Sequence, residues 1–354
     1  MGFFGSKSKL GIDIGTSSIK IVELEKDGGR FKLINYGMIS TEGGGRKFAS
    51  KDVKITVDEE ITWVIQEILK EAKFGSKDAI GAIPSFSTFS TVIKVPFISE
   101  KELEKTIPIE SRKYIPLPPN EVVLDWSIIN LKQGTEAKEG VPAVQAEVEV
   151  FLAAVPVSET TRYTNMLKHA GLNVRAIELE NSALIRGLLG NDQSPTAIVN
   201  IGGRSTSILI VDQGIERMNR NYEVGGFELT NAISKALNVS LERAEELKRT
   251  QGLSTGENVV KEALSSLVDN MVMETRRTIN SYQEKSGVKI DKVVAVGGLA
   301  KMPGFIEYFG DKLGTFTSMG NPFARVVYDK RLESVVEEMG SAFAVAVGLG
   351  MREL

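Results

Sequence analysis

Asp13, Gly15, Thr16, Ser17, Ser18 and Lys20 stand together near the start of a 354-residue chain, and their types suit one kind of chemistry. A glycine followed by three hydroxyl residues lets backbone N–H groups approach an anion closely and adds hydroxyl donors, which makes a phosphate cradle. Asp13 cannot hold a phosphate, but a carboxylate can hold the water shell of Mg²⁺, which keeps several waters and takes one or two carboxylates. Lys20 would supply a cation to the phosphates. The same residues also fit an ordinary hairpin with Asp and Lys on a solvated face, and the stretch alone leaves both readings open.

The flanking pattern predicts what positions these groups. Leu10, Ile12 and Ile14 alternate, and Ile19, Ile21, Val22 and Leu24 resume the apolar pattern, giving two strands joined by a tight turn. The same grammar returns in Thr196–Asp212, with Asn200 in the position of Asp13, then Gly202, Gly203 and hydroxyls that include Ser205. Two such hairpins imply two related halves. A third apolar strand, from Val293, ends in Gly297-Gly298 and opens a helix. Gly225 and Gly226 head another helix, an N-terminus suited to an anion or a ribose. Glu180 lies where a strand from Ala176 runs into a helix; it fits either the positioning of an attacking water or a helix N-cap carboxylate.

Between these segments the periodicity predicts a strand over Phe31–Met38, a glycine-containing loop over 41–51, a helix from Asp58, read as its cap, to Lys73, and a buried strand over Ala79–Pro84. From Phe86 to Arg175 the pattern becomes strand, helix capped by Ser99, two strands and a helix, a compact α+β insert with a polar loop over 132–142. Later helices are expected over Ser240–Thr250, Glu257–Lys285 and Ser334–Met351. The expected plan makes residues 1–85, with 176–194 and 334–354, the first half and 86–175 the insert. Residues 195–333 form the second half, with a small helical subdomain at about 226–258.

Composition narrows the classes. Apolar residues at 42% and charged residues at 25% decide for folded globular material over disorder. A net charge of −3 with scattered Lys and Arg lacks the basic field that nucleic-acid binding requires. With no cysteine and His169 as its one histidine, the chain has no disulfide or Cys/His zinc set, which points to a cytoplasmic setting. No apolar run reaches the roughly 18 residues that span a bilayer. Met1–Ser6 matches a myristoylation pattern by chance, and Phe3, Phe4, Lys7 and Lys9 fit a weak membrane touch or a frayed terminus.

In order and spacing, the three glycine segments resemble the first phosphate, second phosphate and adenosine motifs of the actin, sugar-kinase and heat-shock-chaperone ATPase superfamily. The resemblance covers the whole chain and implies an α/β, actin-like ATPase fold whose two related halves close on ATP and Mg²⁺, with the small α+β subdomain inserted in the first half. Thr16, Ser17 and Ser205 would then contact phosphates, with Asp13 and, through water, Asn200 at the metal. Glu274–Asn280 resembles the chaperones' adenine-clamping turn, so Arg277 and Asn280 are expected beside the base. Asn200 departs from the usual aspartate, which removes a charge near the metal and implies slow hydrolysis at most.

Within the superfamily the chain looks like the PilM family of actin-like type IV pilus assembly proteins, with the FtsA cell-division proteins as nearest cousins. That resemblance implies binding to the short N-terminal cytoplasmic tail of PilN, and through it a place at the inner face of the cytoplasmic membrane. Phe86, Phe89 and Phe97 are expected either to line a peptide groove between insert and first half or to be core. An FtsA-like division or filament protein is the alternative; it would be expected to continue into an amphipathic membrane-targeting segment, which the residues up to Leu354 do not show. A small-molecule kinase ranks third, lacking an obvious general-base aspartate in a substrate cleft.

Overall fold

The computed structural model describes residues 8–41, 56–96, 99–132, 146–254 and 259–353. The expectations for residues 1–7, for Phe97, and for nearly all of the 41–51 and 132–142 loops fall outside them.

Alternating apolar residues produce the two central hairpins, because successive side chains on a strand point to opposite faces. β1 (Ser8–Ile14), β2 (Ser18–Asp27) and β3 (Arg30–Ser40) form an antiparallel meander, with Leu10, Ile12, Ile19 and Ile21 fully buried. β4 (Asp78–Ile83) joins β1 in parallel, β8 (Asn173–Leu179) joins β4, and the short β14 (Val326–Val327) extends the other edge beside β3. The second sheet repeats this plan with the meander β9 (Thr196–Ile201), β10 (Thr206–Asp212) and β11 (Ile215–Tyr222), followed by parallel β12 (Lys292–Val296) and β13 (Phe316–Met319). The order β3-β2-β1-β4-β8 is matched by β11-β10-β9-β12-β13, so two halves share one topology.

The insert has its own sheet, β5 (Phe89–Pro96), β7 (Glu147–Pro156) and β6 (Val122–Lys132), in the order β5-β7-β6. Ile93, Val148, Val150 and Leu152 pack there against Leu103 and Ile107 of α2 (Glu100–Glu110). α3 (Val157–His169) and the first three residues of β8 fall within the insert as read from sequence, but both elements join the first half. Tyr163, Met166 and Leu167 of α3 share a core with Ile12, Ile83 and, from α1 (Val57–Glu71), Val64. The insert is also tied to the second half: Ser90 Oγ donates to Glu216 Oε1 at 2.5 Å, and Arg217 pairs with Glu149 at 3.1 Å. Burial pushes the Glu216 carboxyl above the ordinary glutamate range.

The cap of α1 is Thr56, not Asp58. Thr56 accepts the Glu59 N–H while Glu59 reaches back to the Thr56 N–H at 2.7 Å, a capping box that places Asp58 inside the first turn. Asp58 instead accepts Arg162 of α3 with both carboxylate oxygens.

Two helices join the halves, α4 (Glu180–Leu188) and α10 (Ala344–Gly350); α5 (Gly226–Leu237), α6 (Leu241–Thr250), α7 (Val259–Ser286) and α8 (Phe305–Leu313) belong to the second half. The single C-terminal helix expected over Ser334–Met351 is two, α9 (Glu333–Met339) and α10, separated by a 3₁₀ turn at Gly340–Phe343. That break brings the Ser341 carbonyl to the Gly297 N–H at 3.1 Å.

α4 and α10 touch backbone to backbone because their contact residues are small. A Cβ at Gly348 of α10 would stand 1.9 Å from the Ala183 carbonyl oxygen of α4, and one at Gly187 of α4 3.0 Å from that of Ala344. Gly348→Ala should therefore cost about 1–3 kcal/mol by forcing the helices apart. A melting temperature within a degree of wild type would contradict this packing.

Candidate functional site

The two hairpin turns close in the same way. Gly15 N–H donates to the Ser18 carbonyl at 3.1 Å, and Gly202 N–H to the Ser205 carbonyl at 2.8 Å. A Cβ at Gly15 would lie 2.9 Å from the first of these oxygens and one at Gly202 3.0 Å from the second, so both turns need the bare glycine backbone. Occupying equivalent places in the two halves, they open onto one cavity of about 440 Å³. Thr16, Ser17 and Ser18 line it from one side, Gly203 and Ser205 from the other, and Gly297 and Gly298 from the end of β12. Gly297 adopts φ +93°, and a Cβ there would lie 2.1 Å from the Ile201 carbonyl oxygen, so only glycine brings this corner against the second hairpin.

Asp13 and Lys20 are cross-strand neighbours in the β1–β2 ladder, paired at 3.1 Å and nearly buried. Glu180, at the first position of α4, spans the bottom of the cavity. Its Oε2 accepts the Ser85 N–H at 2.9 Å and its Oε1 the Asn200 side-chain amide at 2.8 Å. Burial, and next the Asp13 charge, push its carboxyl up to about 7. This contact gives Asn200 a physical reason, since aspartate there would set a second carboxylate against Glu180. Among the described residues no group of three or more metal-ligating side chains occurs. Asp13 and Asn200 both line the cavity, where one carboxylate and one amide could serve a hydrated Mg²⁺ that draws its other ligands from water and phosphate.

A raised glutamate pKa has a definite sign in stability. The folded chain holds a proton on Glu180 that the unfolded chain releases near 4.5, so stability should fall as pH rises from about 4.5 through about 7, by up to about 3 kcal/mol. In metal- and nucleotide-free protein, Glu180→Gln should flatten this slope between pH 5 and 8. Parallel melting curves for the two proteins would refute the assignment.

Three expected residues are placed elsewhere. Gly225 does not line the cavity: its N–H is taken by Glu228 at 2.8 Å, and a Cβ would meet the Gly202 and Gly203 backbone at 2.7 Å. Gly226 lines the cavity, but its N–H and that of Phe227 are spent on the Gly202 and Gly203 carbonyls, so the start of α5 buttresses the turn and offers no anion site. Arg277 and Asn280 lie on the solvent face of α7; Arg277 pairs with Glu274 and is 59% exposed. The cavity is met instead by Glu245, Lys248 and Arg249 of α6. Lys248 pairs with Glu245 at 2.6 Å and donates to the Gly226 carbonyl at 3.0 Å and Thr230 Oγ1 at 2.7 Å. Both helices carry an acidic residue three positions before a basic one, and the local pattern contains nothing to say which helix faces the cleft. Of the aromatic residues expected to line a peptide groove, Phe86 is exposed at the cavity mouth and Phe89 packs on the insert's core.

Two halves of one topology, joined by two helices and presenting paired glycine turns to a shared cavity, define the actin-like ATPase fold. MreB5 of Spiroplasma citri bound to AMPPNP has this fold at a TM-score of 0.53 and 14% identity, over 97% of this chain and 95% of that one. The chain belongs to the PilM family: the family model for type IV pilus assembly protein PilM matches residues 11–354. The solved PilM–PilN type IV pilus biogenesis complex superimposes with a TM-score of 0.79 and 26% identity, covering 97% of this chain and 98% of that chain. The cell division protein FtsA of Pseudomonas aeruginosa is 23% identical over 359 residues, 90% of this chain and 84% of FtsA.

Proposed function

We propose that the chain binds ATP with Mg²⁺ in the cavity between its halves and that nucleotide state governs how its insert receives the N-terminal cytoplasmic tail of PilN in the type IV pilus platform. Asp13 and, through water, Asn200 would hold the ion, which supplies positive charge to the phosphate oxygens. Lys20 would exchange Asp13 for phosphate, the hydroxyls of Thr16, Ser17 and Ser205 would donate to it, and α6 with Gly297-Gly298 would receive the nucleoside. Glu180 would orient water, and with an amide at position 200 turnover would be slow. The nucleotide would act chiefly as a clamp between halves.

One observation carries the coupling. The Glu180 carboxylate, at the cavity floor, binds both Asn200 of the second half and the Ser85 N–H, where the chain enters the insert. A closing of the halves that moves Glu180 would thus pull on the root of the insert. The tail, an extended peptide, would add to the insert's β6, an edge strand whose neighbour on the first half is α3. Membrane association would come through that partner, since no helix among the described residues is long and apolar enough to cross a bilayer.

Tail affinity measured with and without Mg²⁺-ATP tests the reading. Coupling should change it by about 5- to 150-fold, and the tail should change ATP affinity by the same factor. Equal tail affinity in both states would leave the nucleotide without a role in docking.

A further inference from the structure

We propose that a basic groove remote from the nucleotide cavity is a second docking site, for an extended peptide carrying carboxylate side chains. The groove, of about 700 Å³, lies where the β2–β3 turn, the end of α4 and β14 meet, and Arg30, Arg186 and Arg325 line it with Phe31, Val327 and Met351. β14 pairs with β3 in parallel, Val326 beside Phe31. Just before this pairing, Arg30 at the start of β3 and Arg325 at the end of the 3₁₀ turn Pro322–Arg325 both line the groove, two like charges whose company favours an anion.

The charges of the groove are only partly answered from within the chain. Arg186 is satisfied, bidentate to the buried Glu178. Arg325 donates one nitrogen, Nη2, to the Arg186 and Gly187 carbonyls at the end of α4; among the described residues its Nε and Nη1 have no partner and it makes no ion pair. Desolvation alone acts on it, lowering its pKa from the ordinary arginine value, with no carboxylate to offset the cost. Arg30 likewise makes no ion pair among the described residues, although Asp27 is its cross-strand neighbour. The rim carboxylate, Glu353, is taken by Lys26 at 2.5 Å.

The backbone suits a strand-like occupant. β14, two residues long, is the edge of its sheet, its Val326 N–H is taken by the Phe323 carbonyl, and Val327 is exposed beside it. An extended peptide lying along this edge would place its carboxylates over Arg30 and Arg325, where they match the guanidinium fork. Gly190, at φ +58°, keeps the wall open: a Cβ would lie 1.6 Å from Arg325 Nη1.

The full chain should be titrated with a fluorescent hexapeptide of alternating Asp and Val, and with its Asn-for-Asp counterpart, by anisotropy. Binding should require the carboxylates, slow amide exchange over residues 324–327, and weaken about tenfold or more in Arg30→Glu, the size of a lost charged hydrogen bond. Arg325→Gln should act likewise; since Arg325 also holds the end of α4, the Arg30 variant, whose side chain makes no ion pair among the described residues, carries the test. Equal binding of the Asn peptide, unchanged affinity in Arg30→Glu, or displacement by equimolar inorganic phosphate would overturn the proposal. Saturating Mg²⁺-ATP and a PilN-tail peptide serve as controls: neither should compete, so the groove stands or falls separately from the function proposed above.

Discussion

Replacing Asp13 by alanine is expected to abolish the stabilisation that ATP and Mg²⁺ give the wild-type chain. At a hundredfold excess over its dissociation constant a ligand that binds only the folded state adds about 2.7 kcal/mol. Asp13 is the carboxylate nearest the first turn and is paired with Lys20 at 3.1 Å. Its removal takes away the metal's only direct carboxylate in the proposed site and frees Lys20 from its partner. Because the substitution leaves the nearly buried Lys20 unpaired, the baseline stability of the variant should drop somewhat, so the shift that nucleotide adds is read against each protein's own ligand-free curve. Differential scanning fluorimetry with and without Mg²⁺-ATP reads the effect. A thermal shift in Asp13→Ala equal to that of wild type would remove Asp13 from the site.

Charges on the edge of the insert should abolish binding of the PilN tail while leaving the nucleotide shift intact. β6 is an edge strand, and Val123, Ile128 and Leu131 along it are 47%, 37% and 46% exposed, an apolar rim without cover among the described residues. Val123→Asp with Leu131→Asp would put desolvated carboxylates where an added strand must lie, a cost of several kcal/mol and so a loss of binding beyond a hundredfold. The insert's own core, Val148, Val150 and Leu152 against α2, is untouched. Calorimetry with the tail peptide decides: retained affinity in the double variant would move the docking site off β6.

Much of the fold and part of the site were legible in the sequence, for a common reason. Strand alternation, glycine turns and hydroxyl runs are local properties, fixed by backbone sterics and by the two-residue period of a strand, so Leu10–Leu24 and Thr196–Asp212 announce the two hairpins and their turns. The repetition of that grammar gives the duplicated architecture, and the positions of Asp13 and Asn200 follow from it, while the strand-to-helix junction after Ala176 marks Glu180. The corrected positions depended on which face meets which. Asp58 and Thr56 are both able caps, and the reciprocal bonds between Thr56 and Glu59 settled the cap on Thr56. α3 follows the insert in sequence, but its apolar stripe found the larger sheet of the first half. Arg277 and Lys248 stand in similar local patterns on α7 and α6, and only the packing of those helices turned one to solvent and the other to the cavity. The Gly225-Gly226 N-terminus looked free for an anion because sequence does not record that the Gly202-Gly203 carbonyls would arrive first. Local chemistry was set by the order of residues; its partners across the cleft, and the raised pKa of the Glu180 carboxyl, were set by burial among groups distant in the chain.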